Sequence, residues 1–248
     1  MSRSARIFFL ILLIGGAVFT ASCGSDHSQV RFLLASQTAG AQDIAVDGKT
    51  QVTNLTFGSL SPATGYVTVA AGNRRVEARP TGTTDDLINS IVGFASSKQY
   101  TLLVIGEDPS FAFLQKTDDN SAPASGSAKL RIIHASPDAH ALPSPASPPD
   151  SQSDAPANLD VYLVAPGTDI TSLTPAISAL VYQQASSYQI LTAGTYEVIM
   201  TDHSDATKFR LVDQTYALAA GQVRTLVTVD ASGELQISGT PLVLADVD

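Results

Sequence analysis

The chain has 248 residues, with 14 Lys+Arg against 23 Asp+Glu, a single Cys and no Trp, and it is 44% hydrophobic but only 6% aromatic. That length holds one large domain or two of about 100 residues each. The acidic balance excludes a nucleic-acid binder that relies on a basic surface, one cysteine excludes an intrachain disulfide framework or a Cys-rich zinc module, and the apolar fraction excludes a disordered chain.

The chain opens with Arg3 and Arg6, follows with an apolar run over 7–18, and ends that run in small residues before Cys23. A charged start, a short apolar core and a small-residue end predict an export signal over residues 1–22. The run is shorter than the roughly 20 residues of a spanning helix. Thr20-Ala21-Ser22-Cys23 resembles the lipobox of bacterial lipoproteins, with Thr20 where that motif usually has Leu. The resemblance implies lipidation of Cys23, and two or more acyl chains give stable anchoring where one does not. Loss of Arg3 and Arg6 with the signal moves the net charge from −9 to −11. Residues 23–28 then read as a short lipidated stalk.

Beyond the stalk the chain repeats itself. Val30-Arg-Phe-Leu-Leu-Ala-Ser36 matches Leu130-Arg-Ile-Ile-His-Ala-Ser136, Tyr66–Gly72 matches Tyr188–Gly194, and Tyr100–Ile105 matches Arg224–Val229. Self-similarity of this kind predicts two modules, at 29–118 and 128–248, joined by a Pro/Ser/Gly-containing linker at 119–127. Period-2 alternation places Val30, Phe32 and Leu34 on one face, and runs rich in Val, Ile, Thr and Tyr recur about every ten residues between turn signals. The expected fold is therefore all-β: two tandem immunoglobulin-like antiparallel β-sandwiches of about seven strands each. A helical turn is expected only near Asp85–Gly93. The second module differs by an insertion at 140–157, whose five prolines supply no ladder donors.

Leu130-Arg-Ile-Ile-His-Ala-Ser-Pro-Asp138, Leu159-Asp-Val-Tyr162 and Leu191-Thr-Ala-Gly-Thr-Tyr-Glu-Val198 resemble the bacterial domain of unknown function 4397. The second module carries the motifs apart from its insertion, and the first is a degenerate copy. The resemblance implies an exported or surface location and the fold. It implies no chemistry.

Motifs of the common hydrolases and phosphate-binding loops are absent from the sequence. His134 and Asp138 invite a cation or ligand reading, with His134, Ser136, Asp138 and Asp160 as a candidate binding rim. The alternative is structural: His134 falls where the first module has the inward-facing Leu34, so a buried neutral imidazole would be satisfied on the Ser136 or Asp138 side of the turn. No metal site and no cofactor are expected. Asp202-His203-Ser204-Asp205 reads as a hairpin turn, since adjacent residues rarely converge as a triad. The Asp85-Asp86 and Asp118-Asp119 pairs lack calcium-loop spacing and read as solvated loop charge. Arg75 and Arg79 share a strand face with Glu77 and read as ion-paired, with an anionic glycan or lipid headgroup as the alternative. Sugar platforms lean on exposed aromatic faces, whereas Tyr66, Tyr100, Tyr162, Tyr188 and Tyr196 lie within strand patterns that suggest core.

These readings converge on a lipid-anchored envelope protein facing the periplasm or cell surface. Its expected role is a non-catalytic structural or protein-interaction module. The alternative is a glycan- or peptidoglycan-binding surface lipoprotein. Expected partners are membrane lipid through acylated Cys23, and envelope proteins or cell-wall glycan.

Overall fold

The computed structural model describes residues 26–139, 156–231 and 237–247. The signal, Cys23 and most of the insertion lie outside them. Among the described residues the chain is all-β, and no helix is long and apolar enough to cross a membrane.

The first half contains β1 (His27–Leu34), β2 (Gln42–Val46), β3 (Lys49–Leu55), β4 (Leu60–Ser61), β5 (Val67–Ala70), β6 (Gly72–Pro80), β7 (Ile88–Phe94), β8 (Gln99–Ile105) and β9 (Ala112–Thr117). One sheet runs β4-β1-β8-β9, with β5 sharing an edge of β1 with β4, and the facing sheet runs β3-β2-β6-β7. The second half contains β10 (Ser127–His134), β11 (Leu159–Val164), β12 (Ile177–Leu180), β13 (Gln189–Thr192), β14 (Gly194–Asp202), β15 (Arg210–Leu218), β16 (Val223–Thr228) and β17 (Leu242–Val247). Its sheets run β13-β10-β16-β17 and β12-β11-β14-β15, the same order of strands.

Each half is a β-sandwich with its own core. Val30, Phe32 and Leu34 pack against Ile44, Val76 and Phe94 in the first, and Leu130 and Ile132 against Val161, Val198 and Met200 in the second. The alternation in β1 thus faces inward as its period predicts. Most strand pairs are antiparallel, but β1 with β8 and β10 with β16 are parallel, in register from Gln29↔Gln99 and from Lys129↔Val223. Parallel strands need a long crossover. Here the crossover is the whole facing sheet.

A third core lies between the sandwiches. Leu33, Leu103, Ile105 and Leu114 of the first meet Ile133, Val227, Val229 and Leu244 of the second. The molecule is therefore four sheets deep, and the two central sheets are covered on both faces. This explains why Tyr100–Ile105 and Leu226–Val229 read as nearly continuous apolar runs, as strands buried on both sides do.

Two local features differ from expectation. Asp85–Gly93 is not helical: it leads into β7, where Ile88, Val92 and Phe94 turn inward at even spacing. An eighth strand position, β9 or β17, closes each sandwich. The β2–β3 hairpin turns on Asp47-Gly48, both at positive φ as a two-residue hairpin turn requires, whereas residues 165–176 in the second sandwich form a long loop. Its Ile170 packs on Tyr162 and Ile199 on the outer face of the sheet, and Lys208 Nζ donates to the carbonyls of Ile170 (2.9 Å) and Leu173 (2.7 Å).

Candidate functional site

His134 ends β10 facing the second sandwich core and is fully buried. Its Nδ1 lies 3.1 Å from Thr228 Oγ1 and its Nε2 3.0 Å from the Ala157 carbonyl oxygen. Because the Ala135 N–H already donates to Thr228 Oγ1 at 3.2 Å, the network assigns the hydroxyl hydrogen to Nδ1 and the ring hydrogen to Nε2. Burial pushes the imidazole down to about 4, against the opposing pull of the Ala157 carbonyl. The ring is a neutral hydrogen-bonding strut. Its partners are not on the Ser136 or Asp138 side of the turn: one comes from β16 and the other from the entry to β11.

Ser136 and Asp138 converge on another residue, Asp230. Ser136 Oγ donates to Asp230 Oδ1 at 2.5 Å, and the Asp138 N–H donates to the same oxygen at 3.0 Å. Burial is the largest influence on Asp230 and raises it to about 6, with Asp138 and Glu107 adding repulsion and the two hydrogen bonds opposing the rise. The Asp230 carbonyl accepts from Gln37 Nε2 across the boundary between sandwiches.

Asp160 is elsewhere. Leu159 and Val161 face the core, so the pleat sends the Asp160 carboxylate to the opposite, outer face of its sheet. There it accepts from His203 Nδ1 (2.9 Å), Ser178 Oγ (3.0 Å) and the Ala179 N–H (2.9 Å). Partial burial works against its ionisation, but these hydrogen bonds together hold it below the ordinary carboxylate range. The candidate rim is thus split: His134, Ser136 and Asp138 lie at one end of the sandwich and Asp160 on its outer surface.

Residues 203–209 form the turn between β14 and β15. Asp202 Oδ1 accepts from the backbone and hydroxyl of Ser204 at 2.8 Å each, so Ser204 engages Asp202 while His203 engages Asp160. On the first sandwich's outer sheet, buried Glu77 sits between Arg75 (3.2 Å) and Arg79 (2.9 Å), Arg79 also reaches Asp86 at 2.7 Å, and Arg74 lies 3.4 Å from Asp47. Tyr100 is in the first sandwich core and Tyr162 is buried beneath Ile170 on the outer face of its sheet, while Tyr66, Tyr188 and Tyr196 are only partly buried. Among the described residues no group of three His, Cys, Asp or Glu side chains is placed to hold a metal ion.

Sequence reasoning missed a charged cluster in the seam. Arg31 pairs with Asp246 and lies 3.4 Å from Asp118, while Arg131 pairs with Asp118 at 2.7 Å. Arg31 Nε donates to Thr101 at 2.8 Å and Arg131 Nε to Thr225 at 3.2 Å. Each guanidinium also lies over a tyrosine, Arg31 at 5.2 Å from the Tyr66 ring centre and Arg131 at 4.8 Å from that of Tyr188. Burial raises Asp246, and Arg31 and the Thr225 hydroxyl oppose that rise. Asp118, read as a solvated loop charge, is instead buried in this cluster, and Asp119 pairs with Lys129 at 2.9 Å. The available signal was an arginine at the same place in two otherwise apolar strands.

No curated protein matches the chain. Among solved structures it is similar to a leucine-rich repeat protein from Bacteroides thetaiotaomicron, at 15% identity over 81% of this chain and 26% of that one, with a TM-score of 0.19. The chain spans about a quarter of that protein's length. A family model matches the first sandwich and β10, then ends inside the insertion that separates the His-Ala-Ser-Pro-Asp motif from β11. Over residues 28–143 the chain matches the family described as Domain of unknown function (DUF4397).

Proposed function

We propose that this chain is a lipid-anchored cell-envelope protein, built from tandem copies of the same domain, that acts as a non-catalytic structural or protein-interaction module. One observation carries the reading: the side chains with chemical potential are held by hydrogen bonds or ion pairs within the fold. His134 braces β16 against the entry to β11, Ser136 is bound to Asp230, and Glu77 is clasped by two arginines. The lipobox-like Thr20–Cys23 supports the anchor, with β1 following only a few residues later.

Two measurements test it. Metabolic labelling with an alkyne fatty acid should mark the protein and lose the mark in Cys23→Ser; persistent label, or none in either form, removes the anchor. In-cell photo-crosslinking with mass spectrometry should capture a reproducible envelope protein. Capture of cell-wall glycan without protein would replace this role by glycan binding.

A further inference from the structure

The two central sheets present equivalent residues to each other. Leu33 and Leu103 of β1 and β8 hold the strand positions of Ile133 and Val227 in β10 and β16, and all four lie in the seam. The charges obey the same rule, Arg31 reaching Asp246 while Arg131 reaches Asp118. Each arginine rests on the tyrosine and threonine of its own sandwich and makes its shortest ion pair with the aspartate of the other, Arg31 lying in addition 3.4 Å from Asp118 of its own. A contact set in which one side's residue meets the other's counterpart, and the reverse, is isologous: it has the form of an interface between identical subunits. The covalent link across it, residues 119–126, adds polar contacts of its own: Asp119 to Lys129 (2.9 Å), Asn120 to Tyr66 (2.8 Å) and Gln99 (2.9 Å), and Ser121 to Lys129 (3.0 Å).

We propose that this seam is an interaction surface whose partner is a second copy of the chain: two chains exchange sandwiches, the first of each docking on the second of the other. Exchange remakes the apolar contacts and both ion pairs between molecules, Asp118 staying with its own sandwich, and only the path of 119–126 differs. Domain swapping is a low-cost route to a dimer on these terms. The buried charges select the partner, because a face lacking the complementary aspartate would leave an arginine unpaired.

The test uses two full-length variants, Arg31→Asp and Asp246→Arg. Each alone sets like charges together when the chain closes on itself. In an exchanged pair of the two variants, the altered position of one meets the altered position of the other, and the unaltered Arg31 meets the unaltered Asp246. Co-refolding one variant isotopically labelled with the other should shift the native mass from one chain to a 1:1 heterodimer, and neither variant alone should show that shift. Only single-chain masses in the mixture would overturn the proposal. If either substitution prevents folding, labelled and unlabelled copies of the unaltered chain refolded together at high concentration decide it. A mixed-label dimer with native β content supports exchange, and monomer alone overturns it.

Discussion

Arg31 and Arg131 stand in the same place on matching strands, and each pairs with the aspartate that follows or closes the other sandwich's last strand. A buried pair of this kind contributes little net stability relative to apolar residues of the same shape, but breaking it is costly. Asp246→Ala should therefore destabilise the chain by about 3–5 kcal/mol, because Arg31 is left buried with incomplete compensation. The double change Arg31→Met with Asp246→Leu should recover most of that loss. Equilibrium denaturation of both variants checks this, and equal losses would mean that packing, not charge, holds the seam.

The two shifted groups at the end of the second sandwich respond to acid with opposite signs. The fold holds His134 neutral, so its contribution is full above 6.5, the ordinary imidazole value, and is lost as pH falls towards about 4. The fold favours the protonated form of Asp230, so the penalty of its charge is full above about 6 and is relieved as pH falls towards 3.8. The two slopes offset each other across this shared window. Asp230→Asn should remove the compensating gain, and its stability should fall more steeply than that of the unaltered chain between pH 6 and 4. Parallel profiles in urea titrations at several pH values would show that Asp230 does not titrate there.

His134→Ala leaves the Thr228 hydroxyl and the Ala157 carbonyl without their imidazole partner and opens a cavity. The expected cost is about 1–3 kcal/mol, read from thermal or chemical unfolding. His203→Ala removes a half-exposed pair with Asp160 and should cost less than about 1 kcal/mol. A reversed ranking would contradict the assignment of His134 as the strut.

Lys208 pins the long loop of the second sandwich through two carbonyls while lying 5.1 Å from the centre of the Tyr162 ring. Lys208→Met keeps the aliphatic stem and removes the donors. Amide hydrogen exchange over Ile170–Leu173 should then speed up, while exchange in β11 and β14 stays unchanged. Uniform acceleration would mean that the loop and the sheet open together.

The all-β fold was legible because its signal is local: alternation in β1, β-branched runs and punctuating turns. The seam was not, because a strand covered on both faces loses alternation, and Leu33 beside Phe32 simply reads as more apolar residue. Asp85–Gly93 misled because a short polar segment before Ile88 has no strand period of its own. Comparison with Leu34 points His134 inward, yet its partners come from elements distant in sequence, Thr228 and Ala157. Sequence motifs group Asp160 with His134, while the pleat of β11 turns the Asp160 carboxylate to the outer face of its sheet. Local pattern carries strand identity and facing; pairing across sheets is a product of topology.

The two ends of the insertion are joined at its base by backbone bonding. The Ala157 N–H donates to the Ala139 carbonyl at 2.6 Å and the Ala157 carbonyl accepts from His134, so the two strand ends are already stapled where the added segment departs. In the first sandwich Gly40 and Ala41 bridge the corresponding gap, and Gln42 Nε2 bonds Ala39 there at 2.5 Å. With closure secured from below, doubling the segment's length adds only about 0.6 kcal/mol of chain entropy. That junction is a socket: its closure rests on bonds among Ala139, Ala157 and His134, not on the length of what is plugged into it.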